Sequence, residues 1–556
     1  MGLLSTVILL ILPLIAGYYF YGRFLRKFFG LNDICKTPAH NLRDGLDFEP
    51  AGKFYLLGQH LSAIAAAGPI IGPILAGMWF GWGPAVLWII LGGVFIGGVH
   101  DLSAIVASIR HQGKSIAEVV KEHMSRKAFI LFLLFLWVSL MYIITAFTDI
   151  TVNTFISQET GGKVASSSMM YLGLAVIMGI AVQKFKANLK LITAIFIPLL
   201  LVCIYLGHFF PLNIPAVFGM DTRLEWGIIL LLYCFIASVI PVWVLLQPRG
   251  YLGGFFLAVT VLLSFIGIVI GAFTKGFQVE YPVFISWNNP SGLPLVPLLF
   301  TTIACGACSG FHALVSSGTT SKQLDKETDA CAVGYGGMLL ESVVAIIALS
   351  TLMVLSFTKV NQLKDPNIIY ANGIAEFLNS LGINKTFAVN FALLAFATFV
   401  YDTLDVATRL GRYIFEELIG FKNKLTPYVA SFFTLLLPLI FLTQKTVDEN
   451  GNPIPAWKIF WTVFGSSNQL LAGFVLFTIS VWLFKQKKRY VYTMIPAVFM
   501  VVMSMLSLFF IVKPALQKLL QGKLSIVPID ITAIFLIGLS LLLFKEGLAV
   551  FLKKSK

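Results

Sequence analysis

Charge is scarce in this chain. Only 12% of its 556 residues are Asp, Glu, Lys or Arg, about half the roughly 25% of a soluble domain, which excludes an ordinary water-soluble globular protein. Cysteine is scarce too, six in all. Five of them (Cys203, Cys234, Cys305, Cys308 and Cys331) lie in apolar segments and Cys35 in a loop, which is not a disulfide framework. No basic segment precedes the first apolar run, so residues 3–22 read as a retained helix and not a signal peptide. The HExxH, GxSxG and Walker patterns are missing, which argues against a hydrolase or ATP-driven pump. So is the period-2 alternation of a transmembrane barrel.

Hydrophobic residues, by contrast, make up 58% of the chain. They fall in runs of roughly 20 residues, the length that crosses a bilayer as a helix. The sequence predicts an all-α polytopic membrane protein with about 15 transmembrane helices, near 3–22, 56–77, 84–108, 128–156, 168–183, 189–210, 227–246, 252–273, 295–318, 332–356, 387–408, 426–443, 457–483, 490–513 and 529–552. The net charge of +14 then reflects Lys- and Arg-rich inner loops and does not call for nucleic acid. Most of the 40 Lys and Arg fall on the inner side if the N-terminus is outside and the C-terminus inside. The only partners expected are the lipid bilayer and a small-molecule or peptide substrate.

Two spans carry breaks. The run GQHLSAIAAAGPIIGPILAG (58–77) holds Gly68-Pro69 and Gly72-Pro73, and YCFIASVIPVWVLLQPRG (233–250) holds Ser238 and Pro241. Proline removes a backbone donor and clashes with the preceding turn, so unwound backbone is expected at both. The two spans lie five apart, an odd separation that inverts their direction. This is the pattern of an inverted five-plus-five repeat whose discontinuous first helices meet at a midplane site. The expected organisation is residues 1–55 as an N-terminal helix and inner loop, 56–211 and 227–408 as the two repeats, and 426–556 as about four accessory helices.

Within the ninth span, residues 305–320 read CGACSGFHALVSSGTT. Polar groups left unpaired in lipid cost several kcal/mol, so this small, hydroxyl-rich segment points to close approach of a ligand or a neighbouring backbone. Gly68, Pro69, Gly72, Pro73, Ser238, Pro241, Ser309 and His312 are the substrate-binding candidates. Ion coupling falls to His60 and Asp101, and to the hydroxyls of Ser316, Ser317, Thr319 and Thr320, which offer a sodium ion hard oxygen ligands. Asp402, Asp405 and Arg409 in YDTLDVATRLGR share a helical face, with Arg409 four residues after Asp405, and are candidates for an inner gate. Asp149, near the outer end of its span, reads as part of a solvated outer face or as a gate or substrate contact, and Glu341, after GYGGMLL, as a proton site or a bystander to glycine-mediated helix packing. Cys305, Cys308 and His312 have the spacing C-x2-C-x3-H and could ligate zinc or iron, although small buried cysteines more often simply pack. No organic cofactor is expected; a proton or sodium ion would serve as coupling ion.

The stretches GQHLSAIAAAGPIIGPILAG, GGVFIGGVHDLSAIVASIRHQGKSI, YCFIASVIPVWVLLQPRGYL, TTIACGACSGFHALVSSGTTSKQLDKETDACAVGYGGMLLES, YDTLDVATRLGRYI and WTVFGSSNQLLAG resemble, in this order, the carbon starvation protein A (CstA) family. The resemblance runs from about residue 1 to past residue 480. It implies a bacterial or archaeal inner-membrane secondary transporter linked to peptide and pyruvate uptake during starvation, and no enzyme. It also implies distant kinship with the amino acid–polyamine–organocation superfamily, whose LeuT-like fold is the inverted repeat. Two rival readings are a membrane-embedded metal or redox protein built on Cys305, Cys308 and His312, and a nutrient sensor.

Overall fold

Apolar runs of membrane-crossing length become helices in the computed structural model of the chain. It describes residues 1–34, 36–44, 48–65, 67–158, 160–186, 188–214, 221–241, 243–420, 423–444, 446–447, 453–521 and 528–554. Cys35 lies outside the described residues. In chain order the principal helices begin with α1 (Leu3–Phe29), α2 (Lys53–Ile64), α3 (Gly68–Phe80), α4 (Trp82–Arg110), α5 (Ile116–His123) and α6 (Arg126–Phe155). Then come α7 (Gly161–Phe185), α8 (Leu189–Phe209), α9 (Thr222–Val239), α10 (Leu246–Thr274), α11 (Leu295–Thr302) and α12 (Phe311–Gly318). The rest are α13 (Cys331–Met353), α14 (Phe357–Leu363), α15 (Pro366–Ser380), α16 (Lys385–Ile419), α17 (Thr426–Thr443), α18 (Ala456–Lys485), α19 (Val491–Leu520) and α20 (Ile529–Leu552). Two-residue strands, β1 (Thr446–Val447) and β2 (Pro453–Ile454), pair antiparallel with Thr446 opposite Ile454.

Among the described residues, 13 helices are long and apolar enough to cross a membrane, or 14 if α2 and α3, bent by 49°, form one span. The expected count of about 15 is reduced by the ninth span. Residues 295–318 fold as two short helices, α11 and α12, either side of a non-helical stretch at 303–310. Gly306 has φ +87° there, a left-handed conformation that ends an α-helix and that glycine adopts without steric cost.

The expected break in span 227–246 lies at Pro241 but not at Ser238, and it separates two helices: 240–241 and 243–245 are non-helical before α10 starts at Leu246. Thr222–Val239 is one continuous helix, Ser238 lies in its last turn, and Pro241 follows its end. A proline just past a helix end needs no interior distortion. The Gly-Pro segment also differs from its expectation of unwound backbone. Gly68, Pro69, Gly72 and Pro73 all lie within α3, and the bend falls between Ile64 and Gly68. Pro69 at the helix start is preorganised by its fixed φ and forfeits only a donor that has no partner there, whereas Pro73 lies inside the helix.

The chain divides into two compact units. The first comprises Met1–Thr6, Leu140–Tyr281 and Ser350–Trp461. Within it α7 packs on α8, α9 on α16 and α17, and α10 on α15 and α16. The second comprises Val7–Ser139, Pro282–Leu349 and Thr462–Lys556. Within it α11 lies against α3 and α19, and α12 against α2 and α4.

Candidate functional site: the crossing of two broken helices

Unwound backbone in an apolar setting must find hydrogen-bond partners. In the stretch 303–310 its neighbours supply them. Trp88 Nε1 on α4 donates to the Ile303 carbonyl at 3.1 Å. Gln469 Nε2 on α18 lies 3.2 Å from the Phe300 oxygen and 3.3 Å from that of Ala304, and Ser342 Oγ on α13 donates to Gly306 O at 2.9 Å. At the start of α12 the N-cap is Gly310, which has no side chain. Asn468 takes over: its Oδ1 accepts from Phe311 N at 2.9 Å, its backbone oxygen accepts from Gly310 N at 3.1 Å, and its Nδ2 donates to Ser309 Oγ at 3.0 Å. Asn468→Leu is expected to leave the buried Phe311 amide unpaired and to cost about 1–3 kcal/mol, readable as a lowered unfolding midpoint in detergent.

Small residues bring the breaks together. A Cβ on Gly68 would lie 2.5 Å from Cys305 Cβ, and one on Gly72 2.6 Å from the Thr302 carbonyl oxygen. On the other side α4 widens into a π-helical turn at Gly93–Gly97, a local irregularity frequent at functional sites. A Cβ on Gly97 would meet Ala307 O at 2.3 Å. Thus α3, α4 and the stretch 303–310 touch backbone to backbone.

Beside this crossing sits a chain of titratable groups with no solvent exposure. His312, in the first turn of α12, places Nδ1 2.8 Å from Asp101 Oδ2. Its Nε2 is 3.2 Å from Glu341 Oε2, within ion-pair range but not aligned as a hydrogen bond. Asp101 Oδ1 in turn lies 2.7 Å from His100 Nδ1. His100, Asp101, His312 and Glu341 are each 0% exposed. Buried charges persist only when paired; here two carboxylates and two imidazoles can exchange a proton among themselves without creating an isolated charge.

The other candidates distribute as follows. His60 on α2 pairs through Nδ1 with Thr320 Oγ1 at 2.8 Å. Ser317 and Thr319 donate to the carbonyls of Ala313 (2.7 Å) and Val315 (3.0 Å) in their own helix, and Ser316 Oγ is buried without a hydrogen-bond partner. Cys305, His312 and Glu341 carry ligand atoms within 4.8 Å of one another. The set differs from the C-x2-C-x3-H alternative of the sequence, because Glu341 and not Cys308 completes it.

Ser238 donates to Phe235 O at 2.7 Å and pairs with Ser431 Oγ at 2.8 Å. In that same unit Asp402 and Asp405 do not pair with Arg409. Their partner is Arg249 at the start of α10, whose Nε donates to Asp402 Oδ1 at 2.8 Å and whose Nη1 meets Asp405 Oδ2. Tyr233 Oη also donates to Asp405 at 2.8 Å. Arg409 instead donates to the Ala237 and Ile240 carbonyls at 2.7 Å each, the end of α9 where helix carbonyls lack partners. Asp149 pairs with Arg223 at 2.6 Å and accepts from Trp457 N at 2.8 Å. Sequence reasoning missed Arg249, Asn468 and Gln469; the available signal was an arginine and two amides inside apolar runs.

Comparison with known proteins supplies the remaining finding. The family model described as carbon starvation protein CstA matches residues 3–370 and 357–507. The peptide transporter CstA of Helicobacter pylori is 33% identical over 535 residues, covering 84% of this chain and 76% of that one. The pyruvate/proton symporter BtsT of Escherichia coli is 30% identical over 579 residues, covering 88% and 78%. Among solved structures, the manganese transporter of Eremococcus coleocola in complex with an aromatic bis-isothiourea compound shares the fold at 12% identity, with a TM-score of 0.50 over 91% of this chain and 97% of that one.

Proposed function

The chain belongs to the carbon starvation protein CstA family, and from that membership we propose that it is an alternating-access secondary transporter. It imports short peptides or pyruvate-like small carboxylates across the cytoplasmic membrane, with a proton as coupling ion. The observation that carries this reading is His312 clasped between Asp101 and Glu341, wholly buried, in the first turn of α12 beside the non-helical stretch 303–310. The N-terminal ends of α3 and α12 present the positive poles of their helix dipoles, which suit a carboxylate. A proton is favoured over sodium because the buried groups drawn together beside the break, Asp101, His312 and Glu341, are ones that take up and release protons.

The same reading refines the inverted repeat. The broken pairs α2–α3 and α11–α12 are taken as equivalent, replacing the span at 227–246 as the start of the second half. Between them the chain crosses through α4, α6, α7, α8, α9 and α10, an even number, so it enters the two pairs from opposite sides. The second half then runs α11–α12, α13, α16, α17 and α18. The first runs α2–α3, α4, α6, α9 and α10, with α7–α8 an inserted hairpin; the packing of α9 on α17 fits their equivalence. Helices α1, α19 and α20 are accessory. The N-terminus is outside and the C-terminus inside, by the distribution of Lys and Arg.

The test is uptake of labelled pyruvate and of a labelled dipeptide into proteoliposomes under imposed proton or sodium gradients. A gradient of one pH unit is expected to support about tenfold accumulation for one proton per substrate. His312→Gln should abolish that accumulation while leaving the protein folded. Transport of neither compound, or accumulation driven by sodium alone, would overturn the proposal.

A further inference from the structure

Outside the membrane-crossing helices, the end of α4 turns back on itself. Gln112 (φ +60°) and Gly113 (φ +73°) reverse the chain, and Ser115 caps α5, accepting from Glu118 N at 3.4 Å. The last turn of α5 thereby returns to His111. We propose that His111, Glu122 and His123 form a binding site for a zinc-type divalent cation.

The geometry is that of a ligand set held by its surroundings. One ligand atom from each residue lies within 4.8 Å of the other two. His111 Nδ1 is 2.6 Å from the Ala107 carbonyl oxygen. A carbonyl only accepts, so Nδ1 carries the ring proton and Nε2 presents its lone pair. This is the outer-shell arrangement that fixes a metal-binding imidazole. The ring is further held edge-on to Trp482, centroids 5.4 Å apart. His111 Nε2 faces His123 Nε2 at 2.7 Å and Glu122 Oε1 at 4.0 Å. Without a cation the two imidazoles share a proton. With one bound, bonds of roughly 2.0–2.1 Å in tetrahedral geometry require the nitrogens to part by a fraction of an ångström, a motion open to His123 at the end of a short helix.

The site also carries a selectivity. Glu122 is half exposed and paired with Lys114 at 3.6 Å, and Lys485 adds positive charge near His123. Attraction by net charge is therefore weak, which disfavours magnesium and calcium, ions that rely on oxygen ligands. Two imidazoles and a carboxylate, with a fourth position open to water, suit zinc. Through α5 the cation would reach α12, since Ser317 Oγ accepts from Ile116 N at 3.1 Å.

The experiment uses the full-length protein without an affinity tag. Zinc is titrated in competition with a chromophoric chelator of micromolar affinity, and cobalt is followed by its visible absorption. One zinc per chain is expected, with excess magnesium and calcium failing to compete. Affinity should fall at least about tenfold in His123→Gln and also in the surface variant Glu122→Gln, which keeps the fold intact. Cys305→Ser and Glu118→Gln should bind as the parent does. Absence of stoichiometric binding, or affinity unchanged by both His123→Gln and Glu122→Gln, would overturn the site. So would loss of zinc on Cys305→Ser, which would place the cation at the buried Cys305–His312–Glu341 set.

Discussion

Arg249→Met is expected to lower the stability of the protein by about 3–5 kcal/mol, the cost of stranding a buried charge whose partner has gone. Arg249 is 1% exposed, and its guanidinium meets both Asp402 and Asp405 on α16. Its backbone oxygen accepts from Tyr171 Oη on α7 at 2.8 Å, and Tyr233 on α9 shares Asp405. One side chain thus ties α10 to α16 and fixes the hydroxyls around them, with Gly253 leaving room for the Asp402 carboxylate. Methionine matches the length of the arginine stem, so the loss is of charge and hydrogen bonds more than of packing. Unfolding in detergent reads the effect. The triple variant Arg249→Met, Asp402→Asn, Asp405→Asn should recover most of the loss, because replacing a whole buried ionic group is often close to neutral. A single variant as stable as the parent would show that these contacts hold nothing.

Gly72→Leu is expected to give a membrane-inserted protein whose uptake falls by at least about a hundredfold, since misplacing a site by about 1 Å can cost that much. A Cβ at this position would lie 2.6 Å from Thr302 O and 3.3 Å from Ile303 Cα. Both are backbone atoms, so no rotamer change relieves the clash and α3 must move from α11. Gly72→Ala should show the same sign with a smaller loss. Initial rates in proteoliposomes with matched protein content check both, and a normal rate in Gly72→Leu would place the transport site elsewhere.

Much of the helical framework could be read from the chain because membrane-crossing length is a local property of an apolar run. The crossing of α3 with the stretch 303–310 was foreshadowed by Gly-Pro pairs in one and by CGACSGFH in the other. Where the breaks fall was harder to read. Proline marks both helix starts and helix interruptions, and only packing decides between them: Pro69 starts α3, and Pro241 merely follows α9. The break that does occur depends on Gly306 and on donors from Trp88, Ser342 and Gln469. The spacing of Asp405 and Arg409 was a sound local expectation, but Arg249, remote in sequence, supplies the stronger geometry and frees Arg409 to cap α9. His312 and Asp101 were each identifiable as polar groups in apolar runs; that they touch is a fact of three dimensions.

The donors to the stretch 303–310 come from residues 88, 342 and 469, three helices far apart along the chain. Each supplies what another cannot, so a mutation in one has no nearby compensation. As lineages diverge, this interruption should be inherited as a unit: kept whole with its distant donors, or lost altogether as the helix closes over. Drift can remodel the lipid-facing surface residue by residue, but it has no gradual route through this turn.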